Sequence, residues 1–471
     1  VNRPILRLFG LLVVLFGLLV VWTSRWTVID AASLNRNPLN VRPLLAELRT
    51  KGGRILADDG TVLAKPVPGP AGTWNRTYPT GSLFAQAIGY SIPAQGRSAG
   101  LERFRAAELR GASTGLGSVF GPLNTQRVGN DIYTTLDPKG QRAAQQALGG
   151  QNGSVVALDP HTGAVLVMYA NPSYDDNHVD QPGTTTFNRA TQGSYAPGST
   201  FKIVTASAGV DSGKYTPDSV INGNSPLLVS GVPLHNDGDQ SWGAQSLTTA
   251  MTYSINTIFA QVAETVGRAP MAAYMKHFGY YAKPPLDYPA NELNVSQVIA
   301  PDGQPYPPAS PKEDIGRIGI GQGGVIVTPL QDAMDAAAVA NGGTLMTPHM
   351  TSRIVNQDGV TAQTISPTVY QRVMSPASAR AVTGMMEKVV EEGTGTTVQI
   401  PGVTIAGKTG TASIGASGSN LTQPSFVAFA PAENPKVAIA VMIDQSQGGF
   451  GATVAAPVAK AVIQTLLAEG K

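Results

Sequence analysis

Ser199-Thr200-Phe201-Lys202 follows the turn-opening pair Pro197-Gly198 and leads into apolar residues at helical spacing. Residues three apart on a helix share a face, so Lys202 can reach the Ser199 hydroxyl. A serine hydroxyl is a poor nucleophile without an adjacent base. Lysine serves as that base where burial and nearby positive charge bring its pKa toward neutral. This is the only Ser-x-x-Lys in the chain, although alone it equally fits a capping serine beside a solvated lysine. Ser254-Ile255-Asn256 comes 55 residues later and offers a hydroxyl to relay a proton and an amide to hold a substrate amide. That pattern is weak alone, since Ser33-Leu34-Asn35 repeats it. Lys408-Thr409-Gly410-Thr411 contains the only Lys-Thr-Gly. On a strand, Lys408 and Gly410 share one face and Thr409 and Thr411 the other. Gly410 then admits close approach of a second backbone or a substrate, and Lys408 supplies positive potential for a carboxylate.

The elements that must position these residues are readable around them. Ser154–Asp159 and Ala164–Met168 flank the turn Pro160-His161-Thr162-Gly163, giving strand, turn, strand. Helical patterns cover Phe201–Val210, Met251–Val266 and Leu330–Ala340, and a closing helix covers Ala455–Ala468. Phe426–Ala430 and Val437–Ile443 read as further strands. Strands from both ends around a helical middle predict one α+β domain over residues 151–471. Residues 27–150 hold short strand-like runs, among them a hairpin of Arg54–Ala57 and Thr61–Ala64 about the Asp58-Asp59-Gly60 turn.

Three other motif matches fail on context. Gly402-x4-Gly407-Lys408-Thr409 has the P-loop form, but a phosphate cradle needs a helix at its lysine and the chain continues Gly410–Gly418 without one. Gly319-x-Gly321-x-x-Gly324 lacks the preceding strand and the later acid of a dinucleotide site. Gly96-x-Ser98-x-Gly100 lacks the strand that leads into a nucleophile elbow.

Composition narrows the rest. At 471 residues the chain is long enough for two or three domains of roughly 100–200 each. Hydrophobic residues at 42% exclude wholesale disorder, and 53 Gly with 35 Pro call for many turns. A net charge of +2 without a basic run excludes a nucleic-acid binder. There is no cysteine for a disulfide, a thiolate metal site or a nucleophile, and the five histidines are scattered, so neither metal nor cofactor is expected. Leu8–Trp22 is an unbroken apolar or glycine run after Arg3 and Arg7. Residues 5–23 are read as a transmembrane helix, with Arg7 snorkelling and Trp22 and Trp26 at the interface, in preference to a cleaved signal peptide. Residues 1–4 are then cytoplasmic and the rest lies outside the membrane.

The ordered set Ser-x-x-Lys, Ser-x-Asn, Lys-Thr-Gly resembles the penicillin-binding proteins and serine β-lactamases. The likeness extends to Ala157-Leu158-Asp159-Pro160, Asn171-Pro172-Ser173-Tyr174-Asp175, Tyr195-Ala196-Pro197-Gly198, Gly321-Gln322-Gly323, Thr328-Pro329-Leu330-Gln331 and Ala340-Asn341-Gly342-Gly343. Gly53-Arg54-Ile55, Leu63-Ala64 and Gly100-Leu101-Glu102-Arg103 resemble the pedestal of class B penicillin-binding proteins, although Asp58-Asp59 stands where that family has Asp-Arg. The chain most resembles the short-pedestal actinobacterial members, since residues 27–150 cannot contain a glycosyltransferase domain.

The resemblance implies a transmembrane helix, a small β-rich pedestal and a serine β-lactamase/transpeptidase-like domain with an antiparallel sheet and a helical subdomain. It implies a bacterial membrane enzyme that crosslinks peptidoglycan stem peptides, taking a D-Ala-D-Ala donor and an amine acceptor. β-Lactams would be its covalent inhibitors and a SEDS-family glycosyltransferase its partner. By the same resemblance Ser199 is the nucleophile, Lys202 its base and Ser254 the proton carrier to the leaving amine. The amides of Ser199 and Thr411 form the oxyanion hole, and Asn256, Lys408, Thr409, Gly410 and Thr411 bind substrate. In a class A β-lactamase a glutamate activates the deacylating water. Glu292-Leu293-Asn294 lies in a tempting place for it, but its asparagine comes two residues after the glutamate where four are required.

Overall fold

The computed structural model describes residues 2–26, 30, 48–111, 128–414 and 420–470. Ser33-Leu34-Asn35, Gly415–Gly418, and 27–29, 31–47 and 112–127 of the expected pedestal lie outside those residues.

Asn2–Ser24 forms one 23-residue helix whose side chains are all exposed. At 1.5 Å per residue it is about 34 Å long, enough to cross a hydrocarbon core of roughly 30 Å. Trp22 and Trp26 sit at its end with ring centroids 6.2 Å apart, and the Arg25 guanidinium lies over Trp22.

The large antiparallel sheet runs in the order Ala406–Ser413, Leu421–Ala430, Val437–Ile443, Gly153–Leu158, Val165–Asn171. Its inner strands read as continuous apolar runs because both faces are covered. Val155, Ala157, Phe426, Ala428, Ile439 and Val441 pack beneath Pro138–Leu148 and Ala456–Ala468. Their neighbours Val156, Leu158, Val427, Phe429, Ala438 and Ala440 face the other way, toward Pro329–Ala340 and the helical subdomain. Alternation along each strand thus feeds two cores from one sheet.

One expectation needs correction. Met251–Val266 is not one helix but two, Leu247–Thr252 and Asn256–Val266, separated by a turn in which Ser254 has φ +59°. Contacts cross the division expected at residue 150. Helix Pro138–Leu148 packs in the core under the large sheet, and the pedestal sheet includes two strands from beyond residue 350. That sheet runs Thr361–Thr364, Thr351–Val355, Asp131–Thr134, Ile55–Leu56, Val62–Pro68, Trp74–Thr77. The expected hairpin is present within it, with Ile55 opposite Ala64 and Gly60 at φ +87° in the turn.

Beneath the pedestal sheet Arg76 and Glu102 form an ion pair with 9% and 3% of their side chains exposed. Arg76 Nε donates to Glu102 at 2.8 Å and Nη1 donates to the Gly53 carbonyl at 2.5 Å. Removing one member of a buried pair strands the other charge. Glu102→Ala is expected to destabilise the fold by about 3–5 kcal/mol in denaturant unfolding. A loss under about 1 kcal/mol would mean that water reaches Arg76 and that the pair contributes little.

Candidate active site

Gly198 takes φ +55° and starts the 3-10 turn Gly198–Phe201, which runs directly into helix Lys202–Asp211. The turn leaves Ser199 half-exposed while Lys202 has no exposed surface. The back wall of this turn is the Gly321-Gln322-Gly323 segment. Gly198 N donates to Gly321 O at 3.1 Å, and a Cβ on Gly321 would lie 2.0 Å from the Gly198 carbonyl oxygen. The formal dinucleotide fingerprint is therefore a packing device behind the serine. Likewise the formal P-loop runs into strand Ala406–Ser413, and Gly96–Gly100 lies at a two-residue pedestal strand.

Lys202 Nζ donates to Ser254 O at 2.6 Å, to Ser254 Oγ at 3.0 Å and to Asn256 Oδ1 at 2.7 Å. Lys408 Nζ donates to the same Ser254 Oγ at 2.9 Å and to Thr409 O at 3.0 Å. The left-handed turn at Ser254 presents both its carbonyl and its hydroxyl to one lysine, which a continuous helix could not do. Asn256 is held at its other end by donating from Nδ2 to His235 O at 3.1 Å.

Burial, and then the neighbouring Lys408 charge, push the Lys202 pKa well below that of a solvated lysine. Burial alone brings Lys408 down to about 7. The three donations from Lys202 Nζ need the ammonium form. Uncharged, Lys202 keeps two N–H groups for Ser254 O and Asn256 Oδ1 and has a lone pair that can take a proton, and Ser254 joins the two amines through one rotatable hydroxyl.

Strand Ala406–Ser413 is the sheet edge, and Thr411 stands opposite Pro424. Proline has no N–H to exchange across a ladder, so the Thr411 amide and carbonyl turn to the open edge. The Ser199 turn lies there: a Cβ on Gly198 would be 3.2 Å from Thr411 O. Gly410 is bare because a Cβ there would meet Ser425 Oγ at 2.1 Å and, from the serine turn, Pro197 O at 2.9 Å. Thr409 Oγ1 lies 2.7 Å from Thr394 Oγ1, and Thr411 Oγ1 accepts from Gly451 N at 3.1 Å.

Ser199, Lys202, Ser254, Asn256 and Lys408–Thr411 thus converge from three separate stretches of chain. Sequence reasoning missed Thr394 and Gly451. The Gly393-Thr394-Gly395 run was the available signal, and Gly393 is where the backbone meets Thr252, whose carbonyl accepts from Thr394 N at 3.2 Å. Glu292 belongs elsewhere: its Oε2 accepts from the pedestal amide of Gly100 at 2.9 Å, and Arg103 is 3.7 Å from its Oε1. Among the described residues no three His, Asp or Glu side chains gather to hold a metal ion.

Comparison with known proteins places the chain in a family. The penicillin binding protein transpeptidase domain matches residues 153–464, and the penicillin binding protein A dimerisation domain matches residues 52–120. The chain is 34% identical to the peptidoglycan D,D-transpeptidase PbpA of Mycolicibacterium smegmatis over the full length of both, and 32% identical to that of Mycobacterium tuberculosis over 99% of each. Penicillin-binding protein A of M. tuberculosis, solved as its ceftriaxone acyl-enzyme complex, superposes with a TM-score of 0.78 at 30% identity, covering 90% of this chain and 100% of that one. A D,D-transpeptidase domain from Eggerthella lenta gives 0.76 at 31% identity, covering 90% and 99%. The chain belongs to the penicillin-binding protein transpeptidase family.

Proposed function

We propose that the protein is a membrane-anchored peptidoglycan D,D-transpeptidase with Ser199 as its nucleophile. The observation that carries this reading is one hydroxyl, Ser254 Oγ, held between two buried lysines, Lys408 on the edge strand and Lys202 one helical turn after that serine. Ser199 Oγ attacks the penultimate carbonyl of a stem peptide ending in D-Ala-D-Ala, and uncharged Lys202 takes the hydroxyl proton. The new C–O bond leaves an oxyanion, which accepts from the amides of Ser199 and Thr411. Collapse breaks the peptide C–N bond, and the proton reaches the departing D-alanine through Ser254. Lys408 and the hydroxyls of Thr409 and Thr411 bind the terminal carboxylate, and Gly410 lets the strand close on the serine turn. Asn256 fixes Lys202 and offers its second Nδ2 proton to the donor peptide. An amine from a neighbouring stem then attacks the ester, forms the crosslink and returns a proton to Ser199. The apolar helix is the single-pass anchor, with the catalytic domain on the extracytoplasmic side, where a SEDS-family glycosyltransferase supplies the glycan strand.

A β-lactam mimics D-Ala-D-Ala, and its opened ring stays tethered where the acceptor amine would enter. With Glu292 bound to the pedestal, the penicilloyl ester is expected to last many minutes. Raising a half-life from a second to an hour takes only about 5 kcal/mol of barrier. Mass spectrometry should show one adduct, absent in Ser199→Ala and slowed about 100-fold or more in Lys202→Ala. Glu292→Ala should leave its lifetime unchanged; an adduct lost in seconds, yet lasting in that variant, makes the protein a β-lactamase instead.

The lysines also fix the pH dependence. Both pKa values are lowered, so each lysine is charged on the acid side and neutral above it. The second-order rate of penicillin acylation should fall on the acid side as Lys202 regains its proton. It should reach its plateau well short of the roughly 10.4 of a free lysine, because burial and the Lys408 charge hold Lys202 far below that value. A rate still climbing through pH 10 contradicts the dry Lys202 site.

Removing residues 1–25 should give a protein that binds penicillin normally but cannot support growth in place of the full chain. Full complementation by that form, exported on an ordinary signal peptide, is the result that excludes a role for the anchor.

A further inference from the structure

Charge is divided unevenly along this nearly neutral chain. Residues 48–150 carry twelve Lys and Arg against six Asp and Glu, whereas residues 151–471 carry sixteen against twenty-three. Part of the excess lines an open cleft of about 870 Å³ on the pedestal sheet. Lys51, Arg54, Lys65 and Arg353 surround it, and Asp131 is the one acid among its walls. Asp131 is already occupied by Arg54, accepting from its backbone N at 2.7 Å, its Nε at 3.0 Å and its Nη2 at 2.5 Å. That leaves Lys51, Lys65 and Arg353, none of which meets a carboxylate among the described residues. Two of them rest on aromatic faces instead. Arg353 Cζ is 4.0 Å from the Tyr133 ring centre, and Lys51 Nζ is 5.5 Å from that of Trp74. Ring stacking holds a guanidinium in place while leaving its N–H fork free for a bidentate anion. The floor carries no side chain at Gly53, where a Cβ would fall 1.8 Å from Asn130 O.

Three cations that meet no carboxylate among the described residues repel one another, and the ring contacts of Arg353 and Lys51 leave their charge unneutralised. They suit a phosphate group, with its several strong acceptor oxygens. A cleft of this volume falls within the usual range of small-molecule sites, roughly 300–1,000 Å³. The pedestal is also the first described domain after the apolar helix, so a bilayer surface offers it phosphate at high local concentration. We propose that this cleft binds the phosphate headgroup of an anionic membrane lipid, with Lys51, Lys65 and Arg353 as its ligands. The inference rests on the anchor reading and is independent of the chemistry at Ser199.

Calorimetric titration of the full chain in a neutral detergent with dihexanoyl phosphatidylglycerol tests it. Saturable binding is expected, weaker at high salt because the contacts are ionic and exposed. Affinity should fall at least tenfold in Lys65→Glu/Arg353→Glu. Both side chains are exposed, so this variant should fold, and unchanged acylation of Ser199 by penicillin verifies that it does. Should the variant fail that check, Lys65→Ala and Arg353→Ala measured singly provide the comparison, each expected to weaken binding several-fold. Equal binding of dihexanoyl phosphatidylcholine, or undiminished binding by the variants, overturns the site. Inorganic phosphate saturating with the same affinity overturns the lipid as its source. If wild type binds the lipid but forms no penicilloyl adduct, it is the transpeptidase reading that fails.

Discussion

Lys202 and Lys408 reach the Ser254 hydroxyl from two different elements, at 3.0 and 2.9 Å, where neither lysine has exposed surface. Two ammonium groups cannot both stay charged in such a place, since each buried ion costs several kcal/mol before any pairing. Among the described residues the lysines contact the acceptors Ser254 O, Asn256 Oδ1 and Thr409 O and no carboxylate, Asp237 acting on Lys202 only at a distance. Much of the local architecture follows from supplying those acceptors. The helix that sequence periodicity runs through residue 254 is broken, at the cost of a left-handed residue worth about 1–2 kcal/mol. The edge strand must bring Lys408 inward while its Thr411 peptide stays free, and Pro424 opposite Thr411 fits that arrangement. Glycines 198, 321 and 410 then let three backbones meet where any Cβ would collide or crowd.

The three motifs were legible because their chemistry demands particular residue types at short spacing. Their convergence was not, since Ser199, Ser254 and Lys408 lie on elements far apart in sequence. The strands of the large sheet were legible as apolar runs, being buried on both faces, as Val437–Ile443 is at every position. Thr361–Thr364 left no such signal: all four residues are exposed, and only backbone pairing to Thr351–Val355 makes it a strand. Ile55–Leu56 is too short to show a period and was legible only through the Asp58-Asp59-Gly60 turn that follows it. The break at Ser254 was hidden because Met251, Ile255, Ile258, Phe259 and Val262 keep an apolar spacing through it. Only the distant demand of Lys202 for two acceptors on one residue overrides that pattern.

Polar contacts tie the pedestal to the catalytic domain at places that looked unremarkable in sequence. Asp287 accepts from the amides of Met350 and Thr351 at 2.6 and 2.9 Å, and from Arg105 at 3.2 Å. Arg105 Nε donates in turn to Thr351 Oγ1 at 3.0 Å. Glu292 serves the same junction through Gly100. Its carboxyl pKa is raised by burial, an effect that the Gly100 amide and Arg103 oppose. A carboxyl with a raised pKa is a common mark of a catalytic acid or base. Here the geometry gives it a structural cause, and partner identity decides where pKa direction alone would mislead.

The same junction bears on how the acyl-enzyme chooses between an amine and water. Water needs a base near the ester to become a competent nucleophile, and the glutamate best placed in sequence to provide one faces the pedestal instead. An amine needs less help, because it is the better nucleophile once neutral. In the mechanism proposed above, the lysine and hydroxyl relay that removes the proton from Ser199 can also remove one from the incoming amine, since the two half-reactions are mirror images across one tetrahedral carbon. A dry site strengthens this preference, as uncharged Lys202 and an uncharged acceptor amine enter it at far lower cost than their protonated forms. In the proposed mechanism burial of the two lysines therefore bears on both halves of the reaction: it would make the serine reactive toward the donor, and it would favour a neutral amine over water as the group that ends the cycle.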